Sequence, residues 1–245
     1  MNEARFRFYE ELNDFLPSER RRREFPHAFR GTPSVKDVIE ALGAPHVEVD
    51  LILVDGRSVD FAHILRGGER VAVYPVFESL DVSPVQRLRE RPLREPRFVC
   101  DVHLGKLARR LRILGFDTLY DGFAEDAAIA AQASRESRCV LTRDIGLLKR
   151  NEVQRGYWVR STEVREQIAE IVERLDLASR ITPFTRCAAC NAPVEPVEKA
   201  EILSELEPLT RQHYDEFHRC TACRKIYWKG THYRSLLSEI RHLMP

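Results

Sequence analysis

Four cysteines near the C-terminus constrain the fold of this chain more than any other feature. They form two Cys-x-x-Cys pairs, namely Cys187 with Cys190 and Cys220 with Cys223. Each pair supplies two thiolates from one tight turn, and four thiolates complete a tetrahedral zinc site. The pattern predicts a zinc ribbon over residues 181–245 with structural Zn²⁺, and the alternatives are two disulfides or a chance clustering of cysteines. Because four thiolates leave no open coordination position, this site by itself predicts no catalysis.

Composition and charge limit the classes to which the chain can belong. The hydrophobic fraction of 43% is enough for a globular core and argues against wholesale disorder. We expect no membrane partner, because no run of about 18 apolar residues is present. The first residues lack the basic and then apolar pattern of a signal peptide, so we expect a cytoplasmic protein. The formal net charge of +1 does not by itself indicate a nucleic-acid binder.

Residues 1–80 are predicted to form a small α+β module. Alternating apolar residues at 5–9 predict a strand, Ser34 is a helix cap, and apolar runs at 49–54 and 70–75 predict two more strands. Strands on both sides of one helix resemble the β-grasp fold of ubiquitin-like proteins, and the last strand resembles that of small sulfur carriers. Sulfur carriers end in a free Gly-Gly, whereas this chain continues. We therefore interpret the module as a docking or structural element with a protein partner.

The remainder of the chain up to the ribbon divides into a linker and an α/β domain. Residues 81–96 interleave prolines with arginines and glutamates, a composition typical of linkers. In residues 97–180, short apolar strands alternate with amphipathic helices, which predicts a parallel sheet with helices on its faces. The predicted fold class is thus α/β, with an N-terminal β-grasp module and a C-terminal four-cysteine ribbon.

Three aspartates of the α/β domain are candidates for a catalytic metal site. Asp101 follows the first predicted strand, Asp144 follows the third, and Asp126 opens the helix between them. Ligands of parallel sheets collect beyond the carboxyl ends of the strands. Clustered carboxylates repel one another unless a cation such as Mg²⁺ or Mn²⁺ compensates, and such ions support phosphodiester hydrolysis. Each aspartate alone is also explained as a helix cap or as a first-turn acid.

Two segments of this domain resemble the mut-seven C-terminal RNase family. The first spans residues 98–117 and contains Leu-Gly-x-Leu-Ala-Arg at 104–109, and the second is Val-Leu-Thr-Arg-Asp at 140–144. That family is PIN-like, carries a C-terminal zinc ribbon, and in some members has an N-terminal ubiquitin-like extension. The resemblance therefore covers nearly the whole chain, and it implies a PIN-like RNase domain.

The resemblance also implies an activity and the residues that carry it. It implies metal-dependent ribonuclease activity with Asp101 and Asp144 as metal ligands, and our first hypothesis is an endoribonuclease. Asp126 matches the family's mid-domain acid, and Glu125 and Asp121 are alternatives for that position.

Basic and aromatic side chains in two regions are candidates for contact with an RNA partner. On the first helix of the α/β domain, Lys106, Arg109 and Arg110 share a face away from the leucines, and their alternative role is an ordinary solvated helix face. In the ribbon, cations alternate with aromatic rings, which are the components of single-strand recognition or of a small ribbon core. The residues assigned to RNA are Lys106, Arg109, Arg143, Arg224, Lys225, Trp228 and Lys229.

Two other functional classes remain open from the sequence. One is a non-catalytic RNA- or ribosome-binding adaptor with a degenerate acidic site, and the other is a protein-interaction scaffold built on the β-grasp module. The acids at strand ends favour the ribonuclease, because an adaptor has no evident need for them. The low net charge favours the scaffold.

Overall fold

A computed structural model describes residues 1–76 and 96–243 of the chain. The predicted linker at 81–96 lies outside these residues, apart from Pro96. The described residues form two compact units, one from 1–76 and 125–158 and the other from 96–124 and 159–243. No helix within them is long and apolar enough to span a bilayer.

Both units contain strands and helices. The strands are β1 (Asn2–Phe8), β2 (Phe25–Phe29), β3 (Val49–Val54), β4 (Arg57–Val59), β5 (Arg70–Pro75), β6 (Arg97–Cys100), β7 (Asp117–Tyr120), β8 (Cys139–Thr142), β9 (Gly156–Trp158), β10 (Val194–Val197), β11 (Phe217–Cys220) and β12 (Ile226–Trp228). The α-helices are α1 (Val35–Ala41), α2 (Gly105–Ile113), α3 (Asp126–Glu136), α4 (Ile145–Leu148), α5 (Val164–Arg174), α6 (Lys199–Ile202), α7 (Pro208–His213) and α8 (Thr231–Ile240).

The N-terminal module is a five-stranded mixed sheet with one helix. The strand order is β2-β1-β5-β3-β4, and β1 and β5 pair in parallel while the other neighbours are antiparallel. Buried residues of α1, including Val35 and Ile39, pack with Phe6, Phe8 and Ile52 of the sheet in one apolar core. This arrangement confirms the predicted β-grasp fold.

Local chemistry fixes both ends of α1, and the helix begins after the predicted cap Ser34. Ser34 and Asp37 form a reciprocal capping box, in which the Asp37 N–H donates to Ser34 Oγ at 3.1 Å and the Ser34 N–H donates to Asp37 Oδ2 at 3.3 Å. Gly43 follows the helix at φ 121°, and a Cβ there would lie 2.5 Å from Phe15 O. Only glycine adopts this φ readily and fits this close approach. Because a φ of 121° is not helical, the helix ends before Gly43.

Residues 125–158 supply a parallel strand pair and two helices to the first unit. β8 and β9 pair in parallel, with Thr142 opposite Trp158. Helix α3 begins at Asp126 as predicted and ends at Ser137, which adopts a left-handed conformation at φ 52°. Helix α4, which directly follows Asp144, has only four residues.

The second unit combines another parallel strand pair with the cysteine ribbon. β6 and β7 pair in parallel, with Cys100 opposite Tyr120, and α2 packs against β7 and α5. The ribbon is a three-stranded antiparallel sheet in the order β10-β11-β12. Its small apolar core is built around Ile202, Leu206 and Phe217. The two parallel pairs confirm the predicted α/β class.

Candidate functional site

The four ribbon cysteines converge on one point. Their Sγ atoms all lie within 4.8 Å of one another, and no other group of three or more His, Cys, Asp or Glu residues in the described ranges meets this criterion. Cys187 Sγ is 3.6 Å from Cys223 Sγ, and Cys190 Sγ is 3.4 Å from Cys220 Sγ. Four sulfurs about 2.3 Å from a tetrahedral zinc ion lie about 3.8 Å apart, so the donor set fits zinc. All four are free cysteines, which argues against the disulfide alternative.

The electrostatics of the cluster also suit a cation. Burial raises the pKa of the Cys187 thiol. Hydrogen bonds from the Tyr227 hydroxyl and from the Cys190 and Ala189 N–H groups lower this pKa by more than burial raises it, so that it falls to about 6. For Cys223, a backbone hydrogen bond from Lys225 lowers the pKa, but desolvation and the neighbouring sulfurs raise it to about 12. Four thiolates cannot share so small a volume without a compensating positive charge.

A buried arginine joins the turn between Cys187 and Cys190 to the α/β part of the second unit by hydrogen bonds. Arg112, on α2, is 5% exposed, and its Nε donates to Thr118 O at 2.8 Å. Its Nη1 donates to Ala189 O at 2.8 Å and to Ala188 O at 3.4 Å, both of them inside the Cys-x-x-Cys turn. The guanidinium therefore brings a positive charge beside the thiolates and joins α2, β7 and the ribbon.

An asparagine completes this junction from the ribbon side. Asn191 follows the first cysteine pair and adopts φ 72°. Its Oδ1 accepts the Thr118 N–H at 2.9 Å, and its Nδ2 donates to Asp117 Oδ1 at 2.8 Å. Because Thr118 is fully buried, Asn191 satisfies a backbone donor of β7 that would otherwise be unpaired.

Asp101 lies where the sequence predicts it, directly after β6. The residue is 3% exposed, and its carbonyl accepts the Leu104 N–H at 2.9 Å in the turn that leads to α2. The Tyr120 hydroxyl, at the end of β7, donates to Val102 O at 3.0 Å and holds this turn against the neighbouring strand. A Cβ at Gly105 would lie 2.6 Å from that hydroxyl, which explains the glycine of the Leu-Gly-x-Leu-Ala-Arg segment.

Asp144 follows β8 and caps α4. Its N–H donates to Thr142 Oγ1 at 2.9 Å, and its Oδ1 accepts the Gly146 N–H at 2.7 Å. The side chain is exposed, and within the described part of the chain its Oδ2 accepts no hydrogen bond. One carboxylate oxygen is therefore used by the turn, while the other faces solvent.

Asp126 is the first residue of α3, and its side chain is exposed. Of the three aspartates, Asp126 and Asp144 belong to the first unit and Asp101 belongs to the second. Their role as catalytic metal ligands therefore stays a prediction.

The basic residues of α2 have different surroundings. Lys106 and Arg109 are exposed, as expected for residues that contact a ligand. Arg110, which shares their face, instead forms an ion pair with Glu239 of α8 at 3.3 Å. Glu239 also accepts from Arg165 Nε at 3.0 Å, so this part of the face connects α2, α5 and α8.

The ribbon candidates are exposed, whereas two neighbouring aromatic residues are partly buried and make contacts within the protein. Trp228 is 38% exposed, and Lys229 forms an ion pair with Glu216 at 2.6 Å. The exposed candidates on the adjoining turn are Arg224 and Lys225, and Arg143 is exposed after β8. Tyr227 directs its hydroxyl to Cys187 Sγ at 3.0 Å, and Tyr233 packs its ring 4.2 Å from that of Phe184.

The structure reveals one candidate that sequence patterns do not indicate. Phe123 lies in the loop after β7 and is 96% exposed. The loop is held by Asp121, whose Oδ1 accepts the Phe123 N–H at 3.0 Å. Asp101 and Asp121 directly follow the paired residues Cys100 and Tyr120, so this loop leaves the same strand edge as Asp101.

Two crystal structures of a Haloferax volcanii protein are similar to part of the chain. One is of small archaeal modifier protein 1, with 14% identity and a TM-score of 0.26, covering 31% of this chain and 100% of that one. The other, of SAMP1, has 15% identity and a TM-score of 0.26, covering 32% and 100%. No curated protein matches the chain.

Two family models match separate parts of the chain. The family described as Mut7-C ubiquitin matches residues 1–81, which contain the β-grasp module. The family described as Mut7-C RNAse domain matches residues 96–240, a range that is more than half of the chain and contains the three aspartates and the four cysteines. Both matches agree with the resemblance seen in the sequence. The chain therefore belongs to the Mut7-C RNAse domain family and carries a Mut7-C ubiquitin module at its N-terminal end.

Proposed function

We propose that the protein is a metal-dependent endoribonuclease that hydrolyses phosphodiester bonds of RNA. The observation that carries this proposal is the Mut7-C RNAse match over residues 96–240. Support comes from Asp101 and Asp144, which each directly follow a strand of a parallel pair. Positions after the carboxyl ends of parallel strands are where α/β proteins bind their ligands.

Asp101, Asp126 and Asp144 are the proposed ligands of the catalytic ion. Carboxylate oxygens suit Mg²⁺ or Mn²⁺, which when bound would stabilise the charge that develops on the phosphoryl group. Asp144 keeps one oxygen in its turn, where it accepts the Gly146 N–H, and offers the other. The turn thereby fixes the orientation of the carboxylate without using all of its capacity as a ligand.

Exposed cations and rings would hold the RNA. Lys106, Arg109 and Arg143 would contact phosphates, and Phe123 would stack on a base, because every base presents an aromatic face. The ribbon would add the cations Arg224, Lys225 and Lys229 and the half-buried ring of Trp228. In this proposal, Zn²⁺ on the four cysteines holds the ribbon in shape and takes no part in the chemistry.

A cleavage assay with an aspartate variant tests the proposal. Zinc-loaded wild type and Asp144→Asn would be incubated with mixed linear RNA and with a circular RNA, with Mn²⁺ or without added divalent ion. We expect Mn²⁺-dependent cutting of both RNAs by the wild type and a loss of about 100-fold or more in the variant. Cutting of the circle identifies an endonuclease, because a circle has no end.

Asp60→Asn is the matched control. Asp60 is exposed, and its Oδ1 accepts the Ala62 N–H at 3.0 Å, the same local bond that Asp144 makes with Gly146. This variant should cleave like the wild type. Equal activity in all three proteins would instead point to a contaminating nuclease, and no activity in any of them would contradict the proposal.

A non-catalytic RNA-binding adaptor is the second candidate. It is favoured by one observation, namely that Asp144 already has a structural role as the cap of α4, where its Oδ1 accepts the Gly146 N–H at 2.7 Å. The adaptor predicts that Asp144→Asn binds RNA with the affinity of the wild type and that neither protein cleaves it.

A further inference from the structure

The β-grasp module contacts residues 145–158 of the RNase domain through hydrogen bonds and close packing, and these residues belong to the same compact unit. Lys149 Nζ donates to Glu40 O at 2.6 Å, and His46 Nε2 lies 3.1 Å from Val153 O. Gly156 packs closely here, since a Cβ on it would lie 3.3 Å from Val47 Cγ2. These contacts fix the module on the segment that runs from α4 to β9.

Two residues of the module converge on Trp158, the last residue of β9. Glu48 is 2% exposed, and its Oε1 accepts the Trp158 N–H at 2.6 Å. The ring of Phe15 lies 5.1 Å from the Trp158 ring, tilted by 44°. The buried Glu48 carboxylate holds the main chain of Trp158, and the Phe15 ring contacts its side chain. Together these two contacts fix the position of the tryptophan.

Trp158 in turn holds the loop that carries Asp144. Its indole Nε1–H donates to Arg143 O at 3.2 Å. Arg143 directly precedes Asp144, and Trp158 lies opposite Thr142 in the parallel pair of β8 and β9. The Arg143 carbonyl, directly before the Asp144 turn, is therefore hydrogen-bonded to the Trp158 side chain, which the β-grasp module positions.

We propose that the ubiquitin-like module has a role inside its own chain: through Glu48, Phe15 and Trp158 it sets the position of the Asp144 loop. In this view Trp158 is a positioning residue, and the module is a fixed part of the catalytic apparatus. The inference rests on the proposed function where it concerns activity, but the hold on the loop is a property of the fold alone. A carrier or docking module has no need for such a connection to one aspartate.

The test uses the full-length, zinc-loaded protein and the substitution Trp158→Phe. This change removes the indole N–H and retains a ring beside Phe15. We expect hydrogen–deuterium exchange of the Gly146 amide, which donates to Asp144 Oδ1, to become about 2- to 10-fold faster, the effect of one lost hydrogen bond. The Mn²⁺ concentration that gives half-maximal cleavage should rise by a similar factor, with kcat at saturating Mn²⁺ changed less.

Two further variants separate positioning from general stability. Lys36→Met removes another bond of the same contact, from Lys36 Nζ to Asn151 Oδ1 at 2.7 Å, which does not reach the Asp144 loop. It should leave both measurements at wild-type values. Phe15→Leu removes the aromatic contact without altering the indole, and it should shift both measurements in the same direction as Trp158→Phe.

The outcomes distinguish this inference from the proposed function. Unchanged Gly146 exchange in Trp158→Phe, or an equal change in Lys36→Met, would overturn the inference. Faster exchange with an unaltered Mn²⁺ requirement would also overturn it, because the loop would then be held for another purpose. If the wild type neither binds Mn²⁺ nor cleaves RNA, the proposed function has failed, and Gly146 exchange alone still decides whether Trp158 holds the loop.

Discussion

Replacement of Arg112 by methionine should release the ribbon from the α/β part of the second unit. The arginine makes two hydrogen bonds of 2.8 Å, to Thr118 O and Ala189 O, and a longer one to Ala188 O. Bonds to charged groups contribute about 1.5–3 kcal/mol each, so the two shorter ones contribute about 3–6 kcal/mol. Burial lowers the pKa of the guanidinium, which shows that its charge is held at a desolvation cost, and loss of that cost offsets part of the effect. We therefore expect a net loss of about 2–4 kcal/mol.

Amide exchange at Thr118 measures this loss directly. The Thr118 N–H donates to Asn191 Oδ1 across the same junction, so its exchange requires the ribbon to separate from β7. A loss of about 2–4 kcal/mol corresponds to exchange about 30- to 1,000-fold faster, and we also expect faster transfer of zinc to a competing chelator. Arg109→Met, on the exposed side of the same helix, should change the opening free energy by less than about 0.5 kcal/mol. Similar Thr118 exchange in the two variants would refute the reasoning.

Two other substitutions test the site and the fold. Phe123→Ala should leave the thermal midpoint unchanged, because the side chain is 96% exposed, but should raise KM for single-stranded RNA by about 5- to 100-fold, whereas Phe123→Tyr should retain binding. An unchanged KM in the alanine variant would exclude base stacking by this residue. Gly115→Ala should destabilise the second unit by about 2–4 kcal/mol, because the residue adopts φ 96° and an added Cβ would overlap Thr182 O. Urea unfolding measures this effect, and a stability equal to the wild type would contradict it.

The sequence predicts the features that local chemistry determines. The Ser34–Asp37 capping box fixes the start of α1, and the paired cysteines specify their own cluster. Alternation of apolar strands with amphipathic helices predicts the parallel pairing, and with it the position of Asp101 after β6. The capping atoms of Ser34 and Asp37 lie within a few residues of each other, and the chemistry of four thiolates allows one arrangement, in which they surround one metal ion.

Features that depend on distant contacts could not be read from the sequence. Strand β2 was not predicted, because only Phe25 and Phe29 bury their side chains and Pro26 interrupts the pattern of this edge strand. The bond from Trp158 to Glu48 joins residues 110 positions apart, and no periodicity indicates it.

Aromatic residues show the same limit. Phe123 resembles any core phenylalanine in the sequence, and only its 96% exposure distinguishes it. Conversely, Tyr227 looks like an RNA-stacking residue, but its hydroxyl contacts the Cys187 sulfur. An aromatic side chain serves a core as well as a ligand, and the three-dimensional surroundings decide between them.

The interleaving of the two units along the chain has a consequence for synthesis. The first unit contains residues 1–76 and also 125–158, so the β-grasp module acquires the rest of its unit only after about 80 more residues have been translated. At roughly 5–20 residues per second, this takes about 4–16 s, much longer than the formation of a helix or a hairpin. During that interval the surface that later receives Trp158 is open to chaperones. The same order of assembly implies that expression of residues 96–240 alone retains the strand partner of β9 but removes Glu48 and Phe15, so the side of Trp158 that contacts the β-grasp module would be uncovered in such a fragment.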